Sequence, residues 1–106
     1  MENTKIYTII IHSDLKFFTT VEDVEKETDK TYKTKHRTYR KATLGEWTHK
    51  NPSRYESHAY DKCSIAADSD DLGFKILSNK VQYLLTKRIV DFENISDELE
   101  AKSATI

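Results

Sequence analysis

The sequence predicts an α+β fold, in which a small and mainly antiparallel β-sheet carries one main amphipathic C-terminal helix on one face. Residues 5–12 are rich in β-branched and aromatic side chains, which favour strands. Residues 31–41 hold threonines and tyrosines but no apolar helical stripe. Farther along the chain, apolar residues recur at helical spacing, at Leu77, Val81, Leu84, Leu85, Ile89 and Phe92.

The first strand and the segment after it have distinct local signals. Ile9, Ile10 and Ile11 make the first strand apolar on both faces, which is typical of a central strand. Thr19 and Glu22 then have the spacing of a capping box, and acidic residues crowd the turns that follow. The sequence therefore predicts a short helix near residues 20–27.

The middle of the chain is predicted to be strand. In a single strand over residues 31–41, the pleat places Lys33, Lys35, Arg37, Tyr39 and Lys41 on one face. Further strands are expected at 44–49 and 54–66, and Asn51-Pro52-Ser53 is a clear turn signal between them. Residues 68–71 read as an acidic loop. The main helix is expected near residues 78–92, with Ser78 as its N-cap and its apolar stripe on the sheet.

The length of 106 residues fits one domain, since domains commonly hold about 100–150 residues. We expect residues 1–106 to form a single compact domain, with a frayed tail from about residue 102. No apolar run approaches the roughly 20 residues that a membrane-spanning helix needs. The single cysteine, Cys63, excludes a disulfide scaffold and is expected to be a small buried residue. With no signal-peptide pattern at the start, the expected location is the cytoplasm.

The net charge of −1 hides an uneven distribution. Residues 1–29 hold three cations and seven anions, residues 30–54 hold eight cations and one anion, and residues 55–106 hold six cations and ten anions. The three segments therefore carry −4, +7 and −4. A basic block of this kind indicates an anionic partner, although it does not bear on the fold.

The basic block also holds tyrosines and the only tryptophan, so we expect a basic and aromatic binding surface over residues 30–55. Cations can follow a phosphate backbone and aromatic rings can stack on exposed bases. The predicted contact residues are Lys33, Lys35, Arg37, Tyr39, Lys41, Trp47, Lys50 and Arg54. The leading hypothesis is a small non-enzymatic intracellular binding protein that docks on nucleic acid or on a nucleoprotein complex. An acidic protein surface is a second possible partner.

Two other functions stay open at this point. One is a protein–protein inhibitor, or an immunity-type protein, that blocks a larger enzyme. The other is a small metal-independent ribonuclease, for which the candidates are His36, Arg37, Tyr39, Glu46 and His49. No pair of histidines has the i, i+4 spacing of a helical zinc site, so neither a metal nor a cofactor is expected. The sequence leaves the oligomeric state open.

Overall fold

The structure is a computed structural model that describes residues 4–14, 16–51 and 59–104. It has the predicted α+β architecture, with a six-stranded antiparallel sheet curled into a half-barrel and one long helix packed against it. The elements are β1 (Lys5–His12), β2 (Phe17–Glu27), β3 (Thr31–Thr34), β4 (Thr38–Arg40), a 3-10 turn (Lys41–Thr43), β5 (Thr48–Lys50), β6 (Tyr60–Ala67) and α1 (Asp70–Ala104). The strand order across the sheet is β4-β3-β2-β1-β6-β5.

The first strand lies at the centre of the sheet, as its apolar character predicts. It pairs along its length with β2 on one side and with β6 on the other. Tyr7 and Ile9 point toward α1, and Ile6 and Thr8 point to the opposite side, which we call the inner face of the half-barrel. Because Ile6 and Tyr7 are both fully buried, the strand is covered on both faces.

The main core lies between α1 and the strands β1 and β6. Alternate residues of β6 are buried, as expected for a strand with one face on a core. Cys63 is 1% exposed, which confirms the prediction of a small buried side chain, and burial raises the pKa of its thiol. The buried cluster consists of Tyr7, Ile9, Cys63, Ile65, Ala67 and Leu77, with Ile11, Trp47, Ile76 and Val81 packed against it.

A glycine lets the helix approach the sheet closely. A Cβ atom placed on Gly73 would lie 2.6 Å from carbon atoms of the Tyr7 ring, well inside van der Waals contact. The Tyr7 hydroxyl donates a hydrogen bond of 2.6 Å to Asp70 in the first turn of α1. The ring and its hydroxyl together fix the first two turns of the helix on β1.

The predicted short helix near residues 20–27 is wrong, because these residues belong to β2. Seven residues of β2 pair with β1, from Phe17 opposite Ile11 to Asp23 opposite Lys5. The resulting ladder satisfies the backbone along the strand, and one cap interaction cannot compete with it. Glu22, the supposed capping residue, lies on the inner face, where it accepts hydrogen bonds from other strands.

The prediction of one strand over residues 31–41 is also wrong, because a turn divides this segment into the hairpin β3–β4. The Thr34 side-chain oxygen accepts hydrogen bonds from the backbone amides of His36 (3.4 Å) and Arg37 (3.3 Å), which stabilises the turn. Lys33 therefore lies on the outer face of the hairpin, and Tyr39 lies on the inner face. The single face that the unbroken strand predicted does not exist.

The helix is longer than predicted and starts earlier. The Ser69 side chain accepts a hydrogen bond from the amide of Leu72 (3.3 Å), so Ser69 and not Ser78 is the N-cap, and residues 70–71 are the first turn and not a loop. Of the predicted stripe, Leu77 is 2% exposed but Phe92 is 70% exposed, so only the first part of the stripe packs on the sheet.

The last two predicted strands are observed with different bounds. The strand predicted at 44–49 is found only as the shorter β5, and the strand predicted at 54–66 corresponds to β6. Residues 52–58 lie outside the described part of the chain. No helix of the described residues is long and apolar enough to span a membrane.

We predict that Gly73→Ala destabilises the protein, although alanine ordinarily favours a helix over glycine by about 1 kcal/mol. The new methyl group would overlap the buried Tyr7 ring, and overpacking of this kind costs about 1–3 kcal/mol. Urea unfolding followed by circular dichroism measures the change. The matched control is Asn79→Ala at an exposed position of the same helix, where stability should stay the same or rise. A Gly73→Ala protein as stable as the Asn79→Ala protein would contradict the close approach.

Candidate functional site

Three exposed cations form a patch on the outer face of the sheet, which we call the cation ladder: Lys26, Lys33 and Arg40. Lys26 lies directly opposite Lys33 across the β2–β3 pair. Lys33 is paired with Thr38, and Arg40 is paired with Thr31, so the β3–β4 register puts these four residues on one face. Local pairing, with a bulge in β2 just before Lys26, therefore builds a continuous basic surface.

The cation ladder is electrostatically unfavourable by itself. Directly opposite residues in an antiparallel pair have Cα atoms about 4.5–5.5 Å apart, and like charges at this distance destabilise a sheet. Within the described residues, no carboxylate pairs with the side chains of Lys26, Lys33 or Arg40. The hydroxyl side chains of Thr31 and Thr38 share this face. The surface has the charge and the hydrogen-bonding groups for an anionic ligand.

The inner face of the half-barrel holds a second polar group, centred on Glu22. Its carboxylate accepts hydrogen bonds from the Thr34 hydroxyl (3.1 Å) and from the Tyr39 hydroxyl, and its Oε2 atom lies 3.9 Å from Arg37 Nε. The Arg37 guanidinium also lies 5.9 Å from the centroid of the Tyr39 ring. Burial raises the pKa of Tyr39 to about 12, with the hydrogen bond to Glu22 adding to the effect. This group ties the hairpin β3–β4 to β2.

A cavity of about 290 Å³ opens beside this group, at the seam where the segment after β4 crosses to β5. Lys50 and Lys62 line it together with Tyr39, Glu46 and Ser64. Burial lowers the pKa of Lys62, and the nearby positive charge of Arg37 lowers it further. The Ser64 hydroxyl is hydrogen-bonded to that of Thr8 at 2.6 Å, so this side chain already has a partner.

Several of the predicted contact residues have structural partners. The Trp47 ring packs against the core and its Nε1 donates to the Lys80 carbonyl (3.2 Å), so its faces are not free for a base. Lys41 Nζ lies 2.5 Å from Glu27 and 4.7 Å from the Tyr32 ring centroid.

The remaining predicted residues are spread over the surface. Lys33 is part of the cation ladder, Lys35 lies in the adjacent turn, and Lys50 lies on the opposite edge strand. Arg54 is outside the described residues. The structure therefore brings Arg37 and Tyr39 together and separates them from Lys33 and Trp47, whereas Lys50 lines the same cavity as Tyr39.

The sequence reasoning missed Lys26 and Arg40 for identifiable reasons. Lys26 lies in the segment predicted to be a helix, and an unbroken strand over residues 31–41 would place Arg40 on the face opposite Lys33. The two Thr-Tyr-Lys/Arg triplets, at 31–33 and 38–40, are the signal that could have revealed the hairpin, since their residues lie on paired strands. Glu22 and Lys62 had no local signal, because their partners are distant in the sequence.

Of the candidate ribonuclease residues, Tyr39 and Glu46 line the inner-face cavity with Arg37 beside Tyr39, but His49 lies apart from them. His49 lies on the helix side of the sheet, where its Nδ1 is 2.9 Å from the buried carboxylate of Asp61. Arg37 and Tyr39 lie instead at Glu22 on the inner face. Among the described residues, no group of three His, Cys, Asp or Glu side chains is arranged to hold a metal ion.

Comparisons with protein-family models, with curated proteins and with solved structures find no match for this chain. The geometry and charge of the described surfaces are therefore the basis on which a function is proposed.

We predict that stability falls as the pH rises from about 10 toward about 12. The pKa of Tyr39 is about 12 in the folded protein against 10.0 for an unperturbed tyrosine, and burial with the Asp70 hydrogen bond raises the pKa of Tyr7 to about 12 as well. Since the folded state keeps protons that the unfolded chain loses, this stability is complete below pH 10 and disappears as the pH passes 12. Urea unfolding between pH 8.5 and pH 11.5 measures the slope.

The variant Tyr39→Phe should lose part of this pH dependence, and Tyr7→Phe/Tyr39→Phe should lose more. Each hydroxyl also contributes a hydrogen bond to a carboxylate, so both variants should be less stable than the wild type at pH 8.5. A double variant with the wild-type slope would show that these two hydroxyls do not cause it.

Proposed function

We propose that this protein is a small binding protein that docks on nucleic acid, free or in a nucleoprotein complex, through the cation ladder. The observation that carries the proposal is the direct opposition of Lys26 and Lys33, with Arg40 on the same face and no acidic partner among the described residues. The repulsion costs folding stability. A phosphate backbone relieves it, because phosphates attract lysine and arginine and release bound counterions when they do so.

The chemistry of the surface favours phosphate contacts over contacts to bases. Thr38 lies beside the cations and can donate a hydrogen bond to a phosphate oxygen, whereas the Thr31 hydroxyl is hydrogen-bonded to that of Thr28 at 2.7 Å. The two predicted stacking residues already have partners within the protein. The Tyr39 hydroxyl donates a hydrogen bond to Glu22, and the Trp47 ring packs against the core. The proposed binding is therefore driven by charge, depends strongly on salt and discriminates little between sequences.

An acidic protein surface could also meet these cations, and an inhibitor or immunity-type role stays a prediction. The ribonuclease hypothesis gains no specific support, since its candidate residues are divided between the two faces of the sheet. Nucleic acid is preferred because the cation ladder is a row of closely spaced charges without bulky apolar side chains among them.

We predict that Lys26→Glu/Lys33→Glu abolishes binding to a fluorescein-labelled single-stranded RNA or DNA of 15 nucleotides. Fluorescence anisotropy from 50 to 200 mM salt measures both affinity and salt dependence. For the wild type, log K should fall by about 0.7 per log unit of salt for each phosphate contacted on a single strand. The matched control, Lys16→Glu/Lys87→Glu, makes the same change in net charge at two exposed lysines elsewhere and should bind much more tightly than the ladder variant.

Two outcomes would overturn the proposal. One is a wild-type protein that binds neither RNA nor DNA at 50 mM salt, which would favour a protein partner. The other is a control variant that loses as much affinity as the ladder variant, since binding would then depend on net charge and not on the ladder.

We also predict that Lys26→Glu alone makes the protein more stable while it weakens binding. The substitution replaces two like charges with an opposite-charge pair across β2 and β3, which should raise the free energy of unfolding by less than about 1 kcal/mol. Urea unfolding measures the free energy of unfolding of Lys26→Glu and of the control Lys16→Glu, which changes an exposed lysine elsewhere. A Lys26→Glu protein less stable than the control would mean that the two lysines do not repel each other in the folded state.

A further inference from the structure

The second half of α1 is exposed in the described part of the chain, and Arg88 is the residue that joins it to the sheet. From Leu85 to Lys102 every residue is exposed, and the contact between Arg88 and Asp61 of β6 is the last ion pair that joins the helix to the sheet. The helix therefore extends beyond the part of the sheet on which it packs.

The exposed segment carries an apolar stripe. Its members are spaced three or four residues apart, so that they share one side of the helix, and each is between 49% and 70% exposed. They are Leu85, Ile89, Phe92, Ile95 and Leu99. We call this set the distal stripe. Val90 is also exposed, but the helical period places it on the opposite side.

An apolar groove lies beside the first half of the same helix. It has a volume of about 480 Å³ and lies between α1 and the strands β1 and β2. Phe74 and Val81 line it from the helix, and Ile9, Ile11 and Phe17 line it from the sheet. Phe74 and Val81 are spaced by seven residues, and Phe92 and Leu99 repeat that spacing on the same side of the helix. The groove and the distal stripe therefore lie on the same side of α1, which also carries Arg88.

Two successive segments of the helix have opposite charge. Residues 75–88 hold four cations and no anion, namely Lys75, Lys80, Lys87 and Arg88. Residues 91–100 hold five anions and no cation, namely Asp91, Glu93, Asp97, Glu98 and Glu100. A second copy of this helix in antiparallel orientation places each acidic half beside a basic half, whereas a parallel copy places like charges together.

We propose that two copies of this chain associate through antiparallel pairing of their α1 helices, with the distal stripes of the two copies packed against each other and Leu99 of each copy beside Val81 of the other. The pairing that opposes Leu85 with Ile95 also opposes Val81 with Leu99, and it places Ile89 close to the two-fold axis. The interface is the same on both copies and closes on itself, as the commonest soluble dimers do. It buries the side chains of the distal stripe and needs no other partner. This inference is independent of nucleic-acid binding, since the cation ladder lies on β2–β4 and not on α1.

Analytical ultracentrifugation of the full chain tests the proposal. The wild type should sediment as a species of twice 12.4 kDa at micromolar concentration, and Phe92→Glu/Leu99→Glu should sediment as the monomer. Val90→Glu is the matched control, because it places a charge on the opposite side of the same helix and should stay dimeric. The sheet-packed core should stay folded in all three proteins, and near-ultraviolet circular dichroism checks this. A wild type that is monomeric up to 100 µM, or a Phe92→Glu/Leu99→Glu protein that dimerises as well as the wild type, overturns the proposal.

Cysteine cross-linking tests the orientation. Leu85→Cys/Ile95→Cys should form an intermolecular disulfide under mild oxidation, because the antiparallel register brings residue 85 of one copy to residue 95 of the other. Leu85→Cys alone and Ile95→Cys alone should remain largely uncross-linked, while the native Cys63 is buried and does not compete. Efficient cross-linking of either single variant would indicate a parallel pair and would contradict the charge argument.

Discussion

The close approach of α1 to the Tyr7 ring is the contact on which the arrangement of the molecule depends. Only a glycine at position 73 lets the helix backbone come so near to the buried ring, and the Tyr7 hydroxyl then reaches Asp70 in the first helical turn. From this anchored start the helix runs across β1 and β6, where its residue Leu77 packs with Cys63 and Ile65. Its direction is then fixed, and its last contact with the sheet, at Asp61, follows from that direction.

The curl of the sheet is maintained by a different kind of interaction. On the inner face, Glu22 collects hydrogen bonds from Thr34 and Tyr39, and it faces the guanidinium of Arg37. A largely buried carboxylate is stabilised only when such partners are supplied, so the contacts of Glu22 hold the β3–β4 hairpin against the inner face of the sheet. With these hairpin groups turned inward, the outer face of β2–β4 is left to Lys26, Lys33 and Arg40. Successive side chains of these strands point to opposite faces of the sheet. The same strands therefore supply both the polar groups of the interior and the cations of the exterior.

The helix illustrates how one element can serve two purposes. Its first half forms the core with the sheet, and its second half extends beyond the sheet with an apolar stripe and an acidic composition. A helix of 35 residues is about 52 Å long, far longer than the width of the sheet that it covers. The part that contributes nothing to the monomer core is the part whose composition suits association.

Local signals in the sequence determined the α+β class, the central position of β1, the burial of Cys63 and the existence of the C-terminal helix. Each depends on periodicity or side-chain type within a few residues, such as the unbroken isoleucines at 9–11. The sequence also located the basic block, although the residues proposed to bind are only partly those predicted, because the face of a residue depends on strand boundaries. The tertiary structure alone decided that residues 20–27 are a strand, since pairing with β1 outweighs the capping signal at Thr19 and Glu22. It likewise decided that Lys26 faces Lys33 and that Phe92 is exposed, because cross-strand register and the extent of the sheet depend on residues far apart in the chain.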